Sequence, residues 1–308
     1  VQGANVVLGA RSLQKLQLIV GDIRSKGGEA TYCAVDVTKP EECRNLIDTA
    51  VGEYGGLDVL ICNAGLSMRA LFDDVDLEVL HRLMDVNFWG TVYCTKYALP
   101  YLQASHGSLV GISSVAGLHG LPGRTGYSAS KYAMTGFLET VRIENLKKGL
   151  HVMVACPGFT ASNVRFSALT ADGSSQGETP RDEAKMMTPE QVARIVIRGI
   201  EKRKRLCLME AEGRATHFIK KFAPGFLDRM FYMVMAVFFV GMICDGAGGN
   251  GLVYVVYCGI VSLVLLGLYL LCCAGFYFLW KVSFCNNRII RFCFCIFAAL
   301  AVGLLLLL

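Results

Sequence analysis

The 308 residues hold 30 Lys+Arg against 25 Asp+Glu, a formal charge of +5, with no basic stripe interleaved with aromatics, which argues against a nucleic-acid partner. Hydrophobic residues make up 54% of the chain and charged residues 18%, more apolar than an average soluble enzyme, and the excess is concentrated after residue 230. Thirteen cysteines are scattered without a CxxC pair or a Cys/His cluster, so no metal site is expected. Those of the body (Cys33, Cys43, Cys62, Cys94, Cys156, Cys207) read as reduced core cysteines of a cytoplasmic protein.

The chain begins at Val1 with no apolar secretory signal before the first strand, and it reads as N-terminally truncated. Residues 5–9 form a buried strand, and an amphipathic helix follows from Ser12, its N-cap candidate, with Leu13, Leu16 and Ile19 on one face. A second strand, Ala30–Val35, closes on Asp36; a helix runs from Pro40 to about Tyr54, and residues 57–62 make a third buried strand. A long helical region from about Leu77 to Ser105 contains Asn87, and a strand over 108–112 ends in Ser113-Ser114. A helix then runs from Tyr127 to about Lys148, followed by a strand over 150–155 that ends at Pro157-Gly158. Residues 160–187, polar and rich in Gly and Ser, predict a mobile flap rather than core. A last helix, about 189–203, and a strand over 206–209 complete the body. This β-α repetition implies an α/β, doubly wound parallel sheet covered by helices on both faces, with residues 1–229 as one Rossmann-like domain.

Residues 230–308 are nearly free of charge and contain apolar runs at 230–244, 252–280 and 292–308. They predict up to three membrane spans, with Lys281, Arg288 and Arg291 on the cytoplasmic side beside a cytoplasmic catalytic domain. The alternatives are an oligomer-forming extension or a sequence artefact, the latter leaving a cytoplasmic protein.

The chemistry is carried by Tyr127-Ser128-Ala129-Ser130-Lys131, which sets a phenol and an ammonium four residues apart on one helix face. A neighbouring cation favours phenolate, so Lys131 is expected to lower the pKa of Tyr127. Taken alone, the pair is an ordinary surface Tyr and Lys. In parallel sheets, however, ligands bind beyond the carboxyl ends of the strands, where Arg11, Asp36, Asn63-Ala64-Gly65, Ser113-Ser114 and Pro157-Gly158-Phe159 gather.

Together with the spacings Asn87 to Ser114 (27 residues), Ser114 to Tyr127 (13) and Tyr127 to Lys131 (4), this set closely resembles the short-chain dehydrogenase/reductase family over residues 3 to about 215. The resemblance implies an oxidoreductase moving a hydride between a nicotinamide cofactor and a ketone or secondary alcohol. Tyr127 would be the general acid/base and Ser114 would hydrogen-bond the reacting oxygen. Lys131 would hold the nicotinamide ribose, and Asn87 would fix a water beside Lys131. Arg11, with no carboxylate beside it, favours NADP(H), because a guanidinium pairs with a 2′-phosphate. Asp36 and Val37 would contact the adenine, Asn63, Ala64 and Gly65 would pass beneath the adenosine ribose, and Thr160 and Ser162, after Pro157-Gly158, would meet the carboxamide. The family's first strand and its turn, T-G-x-x-x-G-I-G, have no counterpart, so no residue is assigned to the pyrophosphate. By the family's strand order the missing strand lies between those at 5–9 and 57–62.

The residues that choose the substrate are expected in the 160–187 flap and at Leu66, Met68, Leu118, His119 and Leu121, with His119 read as a solvated loop residue. Their apolar character points to a lipophilic ketone or alcohol. A homo-oligomer is compatible with the sequence. The competing class is a catalytically inactive, membrane-tethered scaffold, against which the intact Asn87, Ser114, Tyr127 and Lys131 argue.

Overall fold

The computed structural model describes residues 3–162, 164–177 and 186–246. Its strands are β1 (Val6–Ala10), β2 (Ala30–Ala34), β3 (Val59–Cys62), β4 (Ser108–Ile112), β5 (His151–Cys156) and β6 (Leu206–Leu208). They alternate with α1 (Leu13–Ser25), α2 (Pro40–Tyr54), α3 (Leu77–Met84), α4 (Gly90–Ala104), α5 (Thr125–Glu144) and α6 (Pro189–Glu201), after which come α7 (Ala211–Phe222) and α8 (Pro224–Gly246). All the strand pairs are parallel, which requires the helical crossovers between them.

The strands form two sheets, β1-β2 and β3-β4-β5-β6, and the break falls between β1 and β3. β1 lies beside β2 with Val6 opposite Ala30 and Ala10 opposite Ala34; β4, central in the larger sheet, lies between β3 and β5. A shared helical layer bridges the break: α2 packs on β1 and β2, α4 packs on β3 and β4, and the two helices pack on each other. Residues Cys43 and Ile47 of α2 join Cys94, Ala98 and Leu102 of α4 and Leu60 and Cys62 of β3 in one apolar cluster. The opposite face of β3 is open, with Val59 and Ile61 39% and 45% exposed. That is an unusual position for β-branched residues in a parallel sheet.

Alternation along the buried strands divides the larger sheet between two layers. Leu109, Val152 and Val154 face α4 and α5, where Met134 and Leu138 meet them, while Val110, Met153 and Ala155 face α6 through Val196. The sequence of α6 starts the helix as expected, with Thr188 and Gln191 forming a reciprocal capping box and Pro189 in the first turn. Ser12 does occupy the N-cap of α1, but its side chain makes no capping bond.

The helical region from 77 to 104 is continuous but not uniform, with α3 and α4 joined by a π-helical turn, Asp85–Trp89, centred on Asn87. One expectation is corrected. Residues 230–244 fall within α8, and among the described residues no helix is long and apolar enough to cross a membrane. Their run of 15 apolar residues is short of the roughly 20 that a bilayer core demands. The runs 252–280 and 292–308 lie outside the described residues. The chain divides into two compact units, 1–232 and 233–308, and the first contains the site described next.

At the amino-terminal end of the sheet, buried His151 sets Nε2 2.9 Å from the Lys204 carbonyl and Nδ1 3.0 Å from Ser108 Oγ. The carbonyl only accepts, so Nε2 carries the proton and the serine hydroxyl donates to Nδ1. Burial pushes the pKa of His151 below its ordinary value. A depressed histidine binds fewer protons folded than unfolded, so its contribution to stability is present above the unfolded value of about 6.5 and is lost as pH falls below it. Urea denaturation at pH 7.5 and pH 5.5 is therefore expected to give a lower midpoint at the acid end, with a smaller difference in His151→Asn.

Candidate active site

The site is built around an ammonium with little water. Lys131, in the second turn of α5, is 4% exposed, and its Nζ donates to the Ile112 carbonyl at the end of β4 at 2.8 Å. Desolvation pulls its pKa down to about 8. Asn87, fully buried in the π turn, is the neighbouring anchor. Its Oδ1 accepts from Leu66 N–H (2.7 Å), and its Nδ2 donates to Leu66 C=O (2.9 Å) and to Ser130 Oγ (2.8 Å). Ser130 Oγ donates in turn to the Tyr127 carbonyl at 2.8 Å. One amide thus fixes the β3–α3 loop to the first turns of α5. Gly65 runs between the two groups: a Cβ there would lie 3.2 Å from Asn87 Oδ1 and 3.4 Å from Lys131 Nζ, so only glycine leaves the passage open. The Asn87 side-chain amide is committed to Leu66 and Ser130 rather than directed at Lys131.

Tyr127 packs its half-buried ring against Leu66, Met68, Val79, Leu83 and Leu169. Burial raises the pKa of its phenol, opposed by the Ser114 hydroxyl and by the Arg124 cation. This corrects the expectation that Lys131 makes Tyr127 more acidic: the low-polarity surroundings of the ring outweigh its cationic neighbours, and at neutral pH the phenol keeps its proton. Ser114 caps the 3₁₀ turn Val115–Gly117, accepting from Ala116 N–H at 3.2 Å, which leaves its own O–H to donate. Ser113, by contrast, points inward to Thr135 Oγ1 (3.1 Å) and the Lys131 carbonyl (3.4 Å). The arrangement can hold a polar oxygen at Tyr127 and Ser114 and hand it a proton.

The residues expected at a cofactor lie at the carboxyl ends of the strands, but on both sheets. Arg11 is exposed past β1. Past β2, the Asp36 carboxylate accepts from Thr38 N–H (3.0 Å) and Oγ1 (2.8 Å), which holds it below the ordinary carboxylate range. The Asp36 N–H donates to Glu42 Oε2 at 2.7 Å, so Glu42 belongs to this corner although nothing in its helical position singled it out. Val37 is half-buried beside it. Asn63 and Ala64 are exposed past β3, and Gly65 is half-buried. Past β5, Pro157 and Gly158 are half-buried, Thr160 Oγ1 donates to the Gly158 carbonyl at 3.4 Å, and the Ser162 carbonyl accepts from Arg165 N–H at 3.3 Å. A Cβ on Gly158 would collide with the Glu210 carboxylate from the start of α7, a neighbour that sequence reading missed.

The flap is also different from its expectation. Leu169 is 1% exposed, accepts from Arg69 N–H and donates to the Ser67 carbonyl, both at 2.8 Å, and bridges Ser175 antiparallel. Residues 168–176 are therefore a paired hairpin capping Tyr127, with Asp172-Gly173 at its turn and Gly173 at φ 80°. Met68 and Leu66 serve the packing under this hairpin. His119 is buried, not solvated: its ring lies 4.5 Å from that of Phe231, and its Nε2 has no hydrogen-bond partner among the described residues.

With this geometry in place, comparison with known proteins gives the class. The short chain dehydrogenase family profile matches residues 1–172, and the chain belongs to that family. It is therefore an α/β oxidoreductase. The chain is 32% identical over 240 residues to "11-beta-hydroxysteroid dehydrogenase A" of Sesamum indicum, covering 76% of this chain and 69% of that protein. It is 36% identical over 165 residues to "11-beta-hydroxysteroid dehydrogenase 1A" of Arabidopsis thaliana, covering 53% of this chain and 47% of that protein, so the match spans about half of that relative. An alcohol dehydrogenase from the archaeon Thermococcus sibiricus, solved in complex with 5-hydroxy-NADP, shares the fold with a TM-score of 0.58 at 23% identity, over 67% of this chain and 84% of its own.

Replacing Asn87 by Ala strands the Leu66 amide and carbonyl in the interior, each unsatisfied group costing about 1–3 kcal/mol. Urea unfolding of Asn87→Ala is expected to show a loss of roughly 3 kcal/mol, which exceeds an average point substitution.

Proposed function

We propose that the protein reduces a lipophilic ketone, or oxidises the corresponding secondary alcohol, with NADP(H), and that Tyr127 is its general acid/base. The observation that carries this reading is the convergence of Tyr127 and Ser114 with buried Lys131 at the carboxyl edge of the sheet. Lys131 Nζ lies 5.9 Å from the centroid of the Tyr127 ring. The residues fit a nicotinamide ribose: Gly65 leaves open the passage beside Lys131 that a side chain would crowd. When bound, the cofactor supplies the hydride. Ser114 orients the carbonyl oxygen, Tyr127 gives it the proton, and Lys131 holds the ribose hydroxyls. A phenol kept protonated at neutral pH is ready for reduction, whereas oxidation calls for the phenolate and so gains as pH rises. Arg11, with Asn63, Ala64, Asp36 and Val37, supports NADP(H) at the adenosine end, and Thr160 and Ser162 the carboxamide end. The apolar character of Leu118 and Leu121 and the names of the sesame and Arabidopsis relatives support a steroid-like substrate.

The break between β1 and β3 supports a second element of the reading, namely that one more parallel strand, carrying the pyrophosphate-binding turn, belongs between them. Residues 252–280 and 292–308 would attach the protein to a membrane, with the catalytic domain on the cytoplasmic side.

The test is NADPH oxidation against a panel of steroid and long-chain ketones. It is run on the 308-residue chain and on one extended at its amino terminus by a strand ending in T-G-x-x-x-G-I-G. The extended chain is expected to turn over, with Tyr127→Phe lowering the rate at least about a hundredfold, the low end of general-acid contributions. The 308-residue chain is expected to bind NADPH more weakly than micromolar. Full activity in Tyr127→Phe contradicts the assignment of the acid, and micromolar binding by the unextended chain contradicts the missing strand.

A further inference from the structure

Two cations flank the Tyr127 ring at the same distance: Lys131 Nζ and Arg124 Cζ each lie 5.9 Å from its centroid. They are held differently. Lys131 comes from the same helix face and is buried, its Nζ tied to Ile112 C=O. Arg124 sits at the N-cap of α5, half-buried, and its Nη1 donates to Ser67 Oγ at 2.6 Å. Ser67 is itself buried and fixed through its carbonyl to Leu169 of the capping hairpin. The guanidinium is thus locked over the phenol by the same segment that covers the ring.

We infer that Arg124 is the positioning residue that sets the proton affinity of Tyr127, acting across the ring from its Ser67 tether. This deepens the reading of Tyr127 as the acid, on which its relevance to turnover rests. The groups facing the phenol from each element packed on it are few. β5 contributes the Cys156 thiol, which pushes the pKa up, and the 3₁₀ turn contributes the Ser114 hydroxyl, which pulls it down. α5 contributes Arg124 and Lys131, the 66–70 loop contributes Ser67 through its bond from Arg124, and Leu66, Met68, Val79, Leu83 and Leu169 form the apolar cluster on which the ring packs. Of the two cations, Lys131 loses its proton near pH 8, before a phenol raised above its ordinary value ionises. A guanidinium stays charged throughout that range. When Tyr127 becomes phenolate, Arg124 is the cation still there to meet it.

The experiment reads Tyr127 directly, by the pH dependence of its Cζ carbon-13 resonance in the 308-residue chain, with Tyr127→Phe to assign the signal. Arg124→Gln is expected to move the titration midpoint up by about one pH unit, the order of shift that removal of a neighbouring cation produces. Arg124→Lys is expected to return it most of the way. Ser67→Ala, which removes one hydrogen bond of the guanidinium and keeps its charge, is expected to move it up by less than Arg124→Gln. An unchanged midpoint in Arg124→Gln overturns the inference, as does an Arg124→Lys protein that titrates like the glutamine variant, because shape and not charge would then be the cause. Should Arg124→Gln not fold, Arg124→Met is titrated in its place: an upward shift supports the inference and an unmoved midpoint overturns it. A protein without reductase activity still has a Tyr127 titration, so failure of the proposed reaction and failure of this inference are separate results.

Discussion

The constraint on which the site depends is the burial of one ammonium. Holding Lys131 away from water lowers its pKa to about 8, a preference for the neutral amine of about 3 kcal/mol over a free lysine. What compensates is local: the Ile112 carbonyl at the end of β4 accepts from it. Everything nearby is arranged to keep that environment dense. The π turn carries Asn87 inward so that its amide clamps the Leu66 backbone and Ser130, and Ser130 fixes the carbonyl of Tyr127. Gly65 lies against both groups, where a Cβ would crowd Asn87 Oδ1 at 3.2 Å and Lys131 Nζ at 3.4 Å.

A second constraint comes from the sheet. Parallel strands normally bury both faces and both edges, yet β1 and β3 each end a sheet, and β3 shows two branched side chains to solvent. The helical layer of α2 and α4 holds the two sheets as one body through apolar packing rather than backbone pairing. The catalytic candidates all sit on the four-stranded side or the helices packed on it, whereas Arg11 and Asp36 sit on the two-stranded side. The proton-handling machinery is therefore independent of the break, and the adenosine end of the proposed cofactor site straddles it.

Much of this was legible in the sequence, and the gaps have physical reasons. Alternating apolar runs and amphipathic stretches gave the order of strands and helices, and the spacing from Asn87 to Lys131 brought the polar cluster together before any coordinates. The π turn was invisible because inserting one wide turn leaves the apolar periodicity on either side nearly intact. The hairpin reads as a mobile flap because its polar composition conceals two buried residues, Ala168 and Leu169; Asp172-Gly173 is the turn signal that could reveal it. The direction of the Tyr127 shift was misjudged because spacing reports charges along a helix and says nothing of desolvation by Leu66, Met68 and Leu169 from elsewhere. Glu42 and Glu210 could not be found at all, since each acts through a backbone approach that only the fold creates.

A consequence follows for how the acid works. The phenol is not made acidic by its neighbours; it is kept protonated by burial and steadied by cations of unequal persistence. The claim beneath this is that Lys131 is desolvated, and it is tested most directly by the titration of its ε-amine, followed by nitrogen-15 NMR with Lys131→Met for assignment. A midpoint near pH 8 is the predicted result. A midpoint at the ordinary lysine value of about 10.4 would contradict the account, because the ammonium would then be hydrated in the folded protein.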